Sequence, residues 1–188
     1  QRQVQADLNR VYEWAIRWGF DLNIEKCSVV QFGKGKPWSF HLAGKPLKKS
    51  PIERDLGVFV SNDLHWDHQV RYAAGKARGA AHSLSRALIT RDMKTWTSLY
   101  RTFVRPHIEY ASSAYIPHLS SHITTLASVQ RWFTKQVPGI GGLEHEEREK
   151  LCGLESVACR IRRGISIEMY KITSGRSGVR KDIVSKID

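Results

Sequence analysis

A chain of 188 residues with 41% apolar and 26% charged residues is long enough for one domain or two small units with a real core, and too apolar to be disordered throughout. No stretch reaches the ~18 to 20 apolar residues of a membrane span, and the first residues lack the pattern of a secretion signal. The expectation is therefore an intracellular protein, nuclear or cytoplasmic, whose net charge of +12 favours a polyanionic partner, nucleic acid first among them.

Val4, Leu8, Val11, Ala15 and Trp18 recur at helical spacing and Gly19 follows as a stop, which predicts an amphipathic helix over residues 3–18. The chain opens already inside this pattern, as a fragment of a longer protein would. Phe20, Leu22 and Ile24 alternate with polar residues in a short extended piece, Cys27 to Phe32 is β-rich, and Gly33-Lys34-Gly35-Lys36-Pro37 forces a turn. Trp38 to Leu42 and Lys45 to Leu47 form a hairpin about Ala43-Gly44. Leu56 to Val60 reads as a further strand broken by Gly57, where a missing side chain lets another backbone come close. Up to about Ser61, then, a helix packs on a small antiparallel sheet.

From His68 onward the period changes to 3.6. Val70, Ala73, Ala74, Ala77, Ala81, Leu84 and Leu88 fall in one arc of a helix, with Arg71, Arg78, His82 and Arg86 as a stripe along its flank and Lys76 directed elsewhere. Thr90 is placed as the next N-cap with Asp92 in the first turn, and Trp96, Leu99, Tyr100, Phe103 and Val104 give that helix its buried face. Pro106 bends the segment through Tyr115 and Pro117 ends it. Ser120 or Ser121 caps a helix to about Gln136, Pro138 to Gly142 is a loop, and Glu144 to Leu151 and Ser156 to Ile172 are two more helices before a basic tail from Ser174.

Between His68 and Pro106 stand Arg71, Lys76, Arg78, Arg86, Arg91, Lys94, Arg101 and Arg105 against a single acid, Asp92. A solvated helix face mixes both signs, so this imbalance speaks for phosphate contact more directly than total charge does. Other chemistries find little support. Cys27, Cys152 and Cys159 are odd in number and lack Cys-x-x-Cys spacing, so neither a disulfide framework nor a zinc site is expected. Gly33-Lys34-Gly35-Lys36 lacks the spacing of a phosphate loop, and His118 and His122, four apart, have no third ligand in view.

Several segments together resemble the late palm and thumb of non-LTR (LINE-type) retrotransposon reverse transcriptases. Asn23-Ile24-Glu25-Lys26-Cys27 lies some thirty residues before Arg54-Asp55-Leu56-Gly57-Val58-Phe59-Val60, and Arg105-Pro106-His107-Ile108-Glu109-Tyr110-Ala111 resembles the Arg-Pro-x-Leu-Glu-Tyr segment of the thumb. Gln130-Arg131, Gly153-Leu154-Glu155-Ser156, Arg163-Gly164 and Tyr170-Lys171-Ile172 match the region after it, whereas Ala158 and Cys159 replace acidic residues common there, which questions the salt bridges of the last helix.

The resemblance implies an α+β fold, with a palm remnant over residues 1–64 and a helical thumb and post-thumb region over 65–188. It places Lys26 near the incoming nucleotide in an accessory role, Leu56 and Gly57 on the primer-grip strand, and Arg71, Arg78, Arg86, Arg101 and Arg105 among the residues that contact a template-primer duplex. An upstream polymerase half is a further implied partner; no small-molecule ligand is predicted. In the complete family enzyme, carboxylates hold Mg²⁺ for nucleotidyl transfer. No Tyr-x-Asp-Asp pair occurs in this chain, so no catalytic or metal-binding residue is assigned and no cofactor is expected for it alone. Two other classes fit the residues: a domesticated basic nucleic-acid-binding module, and a helical interaction protein using apolar faces around Trp96, Phe103 and Trp132.

Overall fold

The computed structural model describes residues 2–33, 35 and 38–179; Lys34, Lys36 and Pro37 of the expected turn, and residues 180–188 of the basic tail, lie outside the described residues. The architecture is α+β, as expected, in two compact units, Gln1–Trp66 and Asp67–Asp188.

In the first unit, helix α1 (Arg2–Arg17) ends where predicted. Gly19 takes φ 73°, and the N–H groups of Gly19 and Phe20 fold back onto the carbonyls of Ile16 and Ala15 at 3.1 and 2.8 Å. The predicted apolar stripe is only partly used: Ala15 is buried, but Val4, Val11 and Trp18 are 47%, 55% and 67% exposed. The cause is a polar dock. Gln5 donates to the His41 carbonyl at 2.8 Å and accepts from the His41 N–H at 2.9 Å, pairing with the strand as a neighbouring backbone would. The Gln5 side of the helix, about 100° round from Val4, therefore meets the sheet region.

That region is three two-stranded ladders rather than one antiparallel sheet. Strand β1 (Ser28–Val29) pairs in parallel with β4 (Lys48–Lys49), while β2 (His41–Leu42) and β3 (Lys45–Pro46) form the expected hairpin about Ala43 and Gly44. Ile24 is not extended; it opens a single 3₁₀ turn, Ile24–Lys26, capped by the Asn23 side chain. Leu56 to Val60 is likewise not one strand. Leu56 and Gly57 are the two central residues of a turn, with φ 45° and 86°, that joins β5 (Ile52–Asp55) to β6 (Val58–Ser61) and sets Asp55 opposite Val58. Two positive φ angles in a two-residue loop match the right-handed twist of a hairpin, which is why the chain turns here.

The second unit is built on helix α2 (Asp67–Ala87), which buries Val70, Ala73, Ala74, Ala77 and Ala81 as predicted; Leu84 and Leu88 are half-buried. It packs on α6 (Ser120–Lys135) and α4 (Arg105–Glu109). Asp67 meets His122, Arg78 meets Ser128 and His82 meets Trp132, so α2 and α6 run parallel. Helix α3 (Met93–Leu99) is capped by Asp92, not Thr90: the Asp92 carboxylate accepts from the Thr95 N–H at 2.9 Å. Trp96 then stacks on Phe133 with ring centroids 4.3 Å apart, and its indole N–H donates to the Phe133 carbonyl at 3.0 Å. Burial of rings this size contributes about 4 to 6 kcal/mol each before entropic costs, so the pair anchors the core.

Phe103, predicted on the same buried face, is 51% exposed. The reason is a π-helical turn, Tyr100–Val104, closed by the Arg105 N–H on the Tyr100 carbonyl. One extra residue in the turn rotates all that follows, and burial passes to Val104 and Ile108. Pro106, which has no N–H to donate, sits in the first turn of α4, where none is needed. Ala111 and Ile116 take positive φ on either side of α5 (Ser112–Tyr115), and α6 starts at Ser120 after Leu119, with neither Ser120 nor Ser121 acting as its cap. Helix α7 (His145–Leu151) opens on a Glu144–Glu147 capping box, and α8 (Val157–Thr173) is capped by Ser156.

Candidate nucleic-acid interface

The bases predicted to meet phosphate divide by what already holds them. On α2, Arg71, Lys76, Arg78 and Arg86 are all exposed. Arg78 and His82 border α6: Arg78 donates from Nη2 to the Ser128 hydroxyl at 2.9 Å, and the His82 ring lies 4.4 Å from that of Trp132. Arg71 lies two turns before Arg78 and Arg86 one turn beyond His82, so the stripe follows the flank of α2 beside α6. Lys76 leaves that flank, as expected, and its ammonium lies 5.8 Å from the centre of the Tyr72 ring. Arg91 is internal hardware: it donates to the Ser85 carbonyl and hydroxyl, each at 3.0 Å, and to Gln136 at 3.2 Å.

Arg101 and Arg105 are anchored at one edge each. Arg101 is exposed, and its Nη2 donates to the Gly153 carbonyl at 2.7 Å. Arg105 is half-buried, and its Nε reaches both oxygens of Glu109 at 2.9 Å. Glu109 also accepts from Nε of Arg160, whose side chain is only 4% exposed. Arg160 donates further to the Glu155 carbonyl and, at 3.3 Å, to the Tyr100 hydroxyl. That hydroxyl donates to Gln130 at 2.6 Å, and the Gln130 amide donates to Glu149 at 2.5 Å and to the Glu155 carbonyl at 3.1 Å. Burial pushes the Tyr100 hydroxyl up to about 12, so it stays a neutral donor through the physiological range.

This chain of bonds unites residues that the sequence offered only as separate motif matches. Glu109 of the Arg-Pro segment, Gln130, and Glu155 of Gly-Leu-Glu-Ser meet inside one helical unit, on α4, α6 and the start of α8. Sequence reasoning missed that convergence. The four-residue spacing of Arg105 and Glu109 was a readable signal for their pair; the spacing of Glu109, Gln130 and Arg160 carried none. Helix α8 keeps ion pairs despite Ala158 and Cys159: Arg160 on Glu109, and Arg163 on Glu155 at 2.5 Å.

In the first unit, Lys26 ends the 3₁₀ turn and is exposed, and Leu56 is 85% exposed at the hairpin tip beside Gly57. The tip position corrects the reason for the glycine. Gly57 is there because its φ is positive, not because a strand must admit a second backbone. Of the faces proposed for protein interaction, Trp96 is only 1% exposed and serves the core, Trp132 is half-buried against His82, and Phe103 alone is open.

His118 and His122 lie with ring centres 6.1 Å apart, and among the described residues no group of three or more His, Cys, Asp or Glu is placed to hold a metal ion. All three cysteines are free thiols. No helix among the described residues is long and apolar enough to cross a membrane. Compared with protein-family models, curated proteins and solved structures, the chain matches none.

Proposed function

We propose that the chain is the duplex-gripping part of a reverse transcriptase of the non-LTR retrotransposon type, contacting template-primer nucleic acid without carrying out nucleotidyl transfer itself. The observation that carries the reading is the excess of exposed bases from α2 through α3 to the π-helical turn. Arg71, Lys76, Arg78, Arg86, Lys94 and Arg101 are exposed, and past Asp67 this stretch offers solvent a single acid, Asp92. A face of that kind attracts a phosphate backbone by releasing its counterions. The convergence of Glu109, Gln130 and Glu155 supports the resemblance further, since the matched motifs are then parts of one packed unit. The exposed side of α1, with Val4, Val11, Trp14 and Trp18, suits a protein partner such as an upstream polymerase half.

The test is binding of a fluorescently labelled primer-template with a recessed 3′ end against a blunt duplex of equal length. The reading expects tighter binding of the recessed end and no nucleotide incorporation with Mg²⁺ present. Equal affinity for both would favour a general basic binding module, and salt-insensitive association with protein alone would favour the interaction reading.

A further inference from the structure

We infer that Arg101 and Arg105 form a pre-oriented seat for one phosphate group of a nucleic-acid backbone, with Glu109 as the positioning residue for Arg105; the inference rests on the nucleic-acid reading above. The two arginines are four residues apart across the π-helical turn and so project from neighbouring turns. Among the described residues, each guanidinium is held by an acceptor of this chain at one edge. Arg101 is held through Nη2 by the Gly153 carbonyl at 2.7 Å, and Arg105 through Nε by Glu109 at 2.9 Å. Both hydrogen bonds from Arg105 to Glu109 leave from Nε, so the Nη1 and Nη2 edge faces away from that carboxylate, where a ligand can meet it.

Charge gives the seat its sign. Glu109 is a single carboxylate shared by Arg105 and Arg160, and Arg160 is the buried partner at 4% exposure while Arg105 is 38% exposed. One negative charge between two positive ones leaves a surplus of one, and burial keeps it from being dispersed at Arg160. The surplus emerges at Arg105, one turn from the full charge of Arg101. A planar guanidinium already held in place loses little freedom when it forks onto an anion, and phosphate oxygens match its donor spacing.

The experiment titrates the full chain into a fluorescein-labelled duplex at several salt concentrations, with wild type beside R101K/R105K. Lysine keeps both charges, so the salt dependence should stay while the planar fork is lost, and Kd should rise roughly tenfold at any given salt. The single variant R101K, at an exposed position, should raise Kd about threefold and serves if circular dichroism shows the double variant misfolded. Inorganic phosphate, at ionic strength matched with chloride, should displace duplex from wild type better than chloride does and lose that advantage in the variants. A Kd within about twofold of wild type in a folded variant overturns the seat while leaving duplex binding intact. If the variants lose only the effect of inorganic phosphate and keep duplex affinity, the seat serves a free phosphate compound and the backbone assignment fails. A wild-type chain that binds no duplex overturns both this seat and the function it refines.

Discussion

Leu56 sits at φ 45° with 85% of its surface in water. A branched-chain L-residue in the left-handed region costs about 1 to 2 kcal/mol, which asparagine largely avoids. Leu56→Asn should therefore stabilise the β5–β6 hairpin by about 1 kcal/mol and raise the melting temperature of the first unit. If Leu56 also touches the primer, as the resemblance implies, the same variant should lose preference for a recessed 3′ end while melting higher. A rise in melting with unchanged end preference would leave Leu56 a strained residue without a binding role. Gly57 cannot be probed by valine in the same way, because at φ 86° any side chain strains the turn before it meets a ligand.

At the scale of elements, the helices of the second unit were legible because alanines at 3.6 spacing and the punctuation of Pro106, Pro117 and Gly139 mark them locally. The faces of those helices were less so. An uninterrupted α-helical count puts Phe103 inside, and nothing in Tyr100 to Val104 announces the inserted residue that turns it out. In the first unit, Val4, Val11 and Trp18 have the period of a buried stripe, yet the Gln5 amide decides the dock, a polar contact with no periodic signature.

The buried bonds around Gln130 follow from tertiary structure alone, and they predict large effects. Gln130→Ala leaves the Tyr100 hydroxyl and the Glu149 carboxylate without their shared partner and should cost about 3 kcal/mol in urea unfolding of the helical unit. A loss under about 1 kcal/mol would mean that water replaces the amide.

Beside this network, burial holds His145 below the ordinary histidine value of 6.5, against the pull of Glu149 at 3.1 Å. A depressed folded value means that the unfolded chain takes the proton first. Stability should be level above about pH 6.5, fall as pH drops from there toward the folded value, and level off below it. His145→Gln should flatten the decline that sets in below about pH 6.5, and an identical decline in both proteins would remove His145 as its source.

At the scale of the whole molecule, the chain folds as two compact units, and past Asp67 the exposed charges of α2 are all basic. The α+β class could be read from the change of period at His68, and the basic stripe from helical spacing and the charge imbalance between His68 and Pro106. Which arginines are spent inside the fold could not. Arg91 is bonded to Ser85 and Gln136, and Arg105 shares Glu109 with Arg160, whereas Arg71 and Arg86 stay in solvent.

The measurement that tests duplex binding by this face most directly is the salt dependence of affinity for a primer-template duplex in wild type and in R71A/R78A/R86A. The predicted result is a linear fall of log K with log salt whose slope shrinks by about 0.9 for each phosphate contact removed, with the helical signal in circular dichroism retained. An unchanged affinity and slope in the folded triple variant would contradict the assignment of that face to nucleic acid.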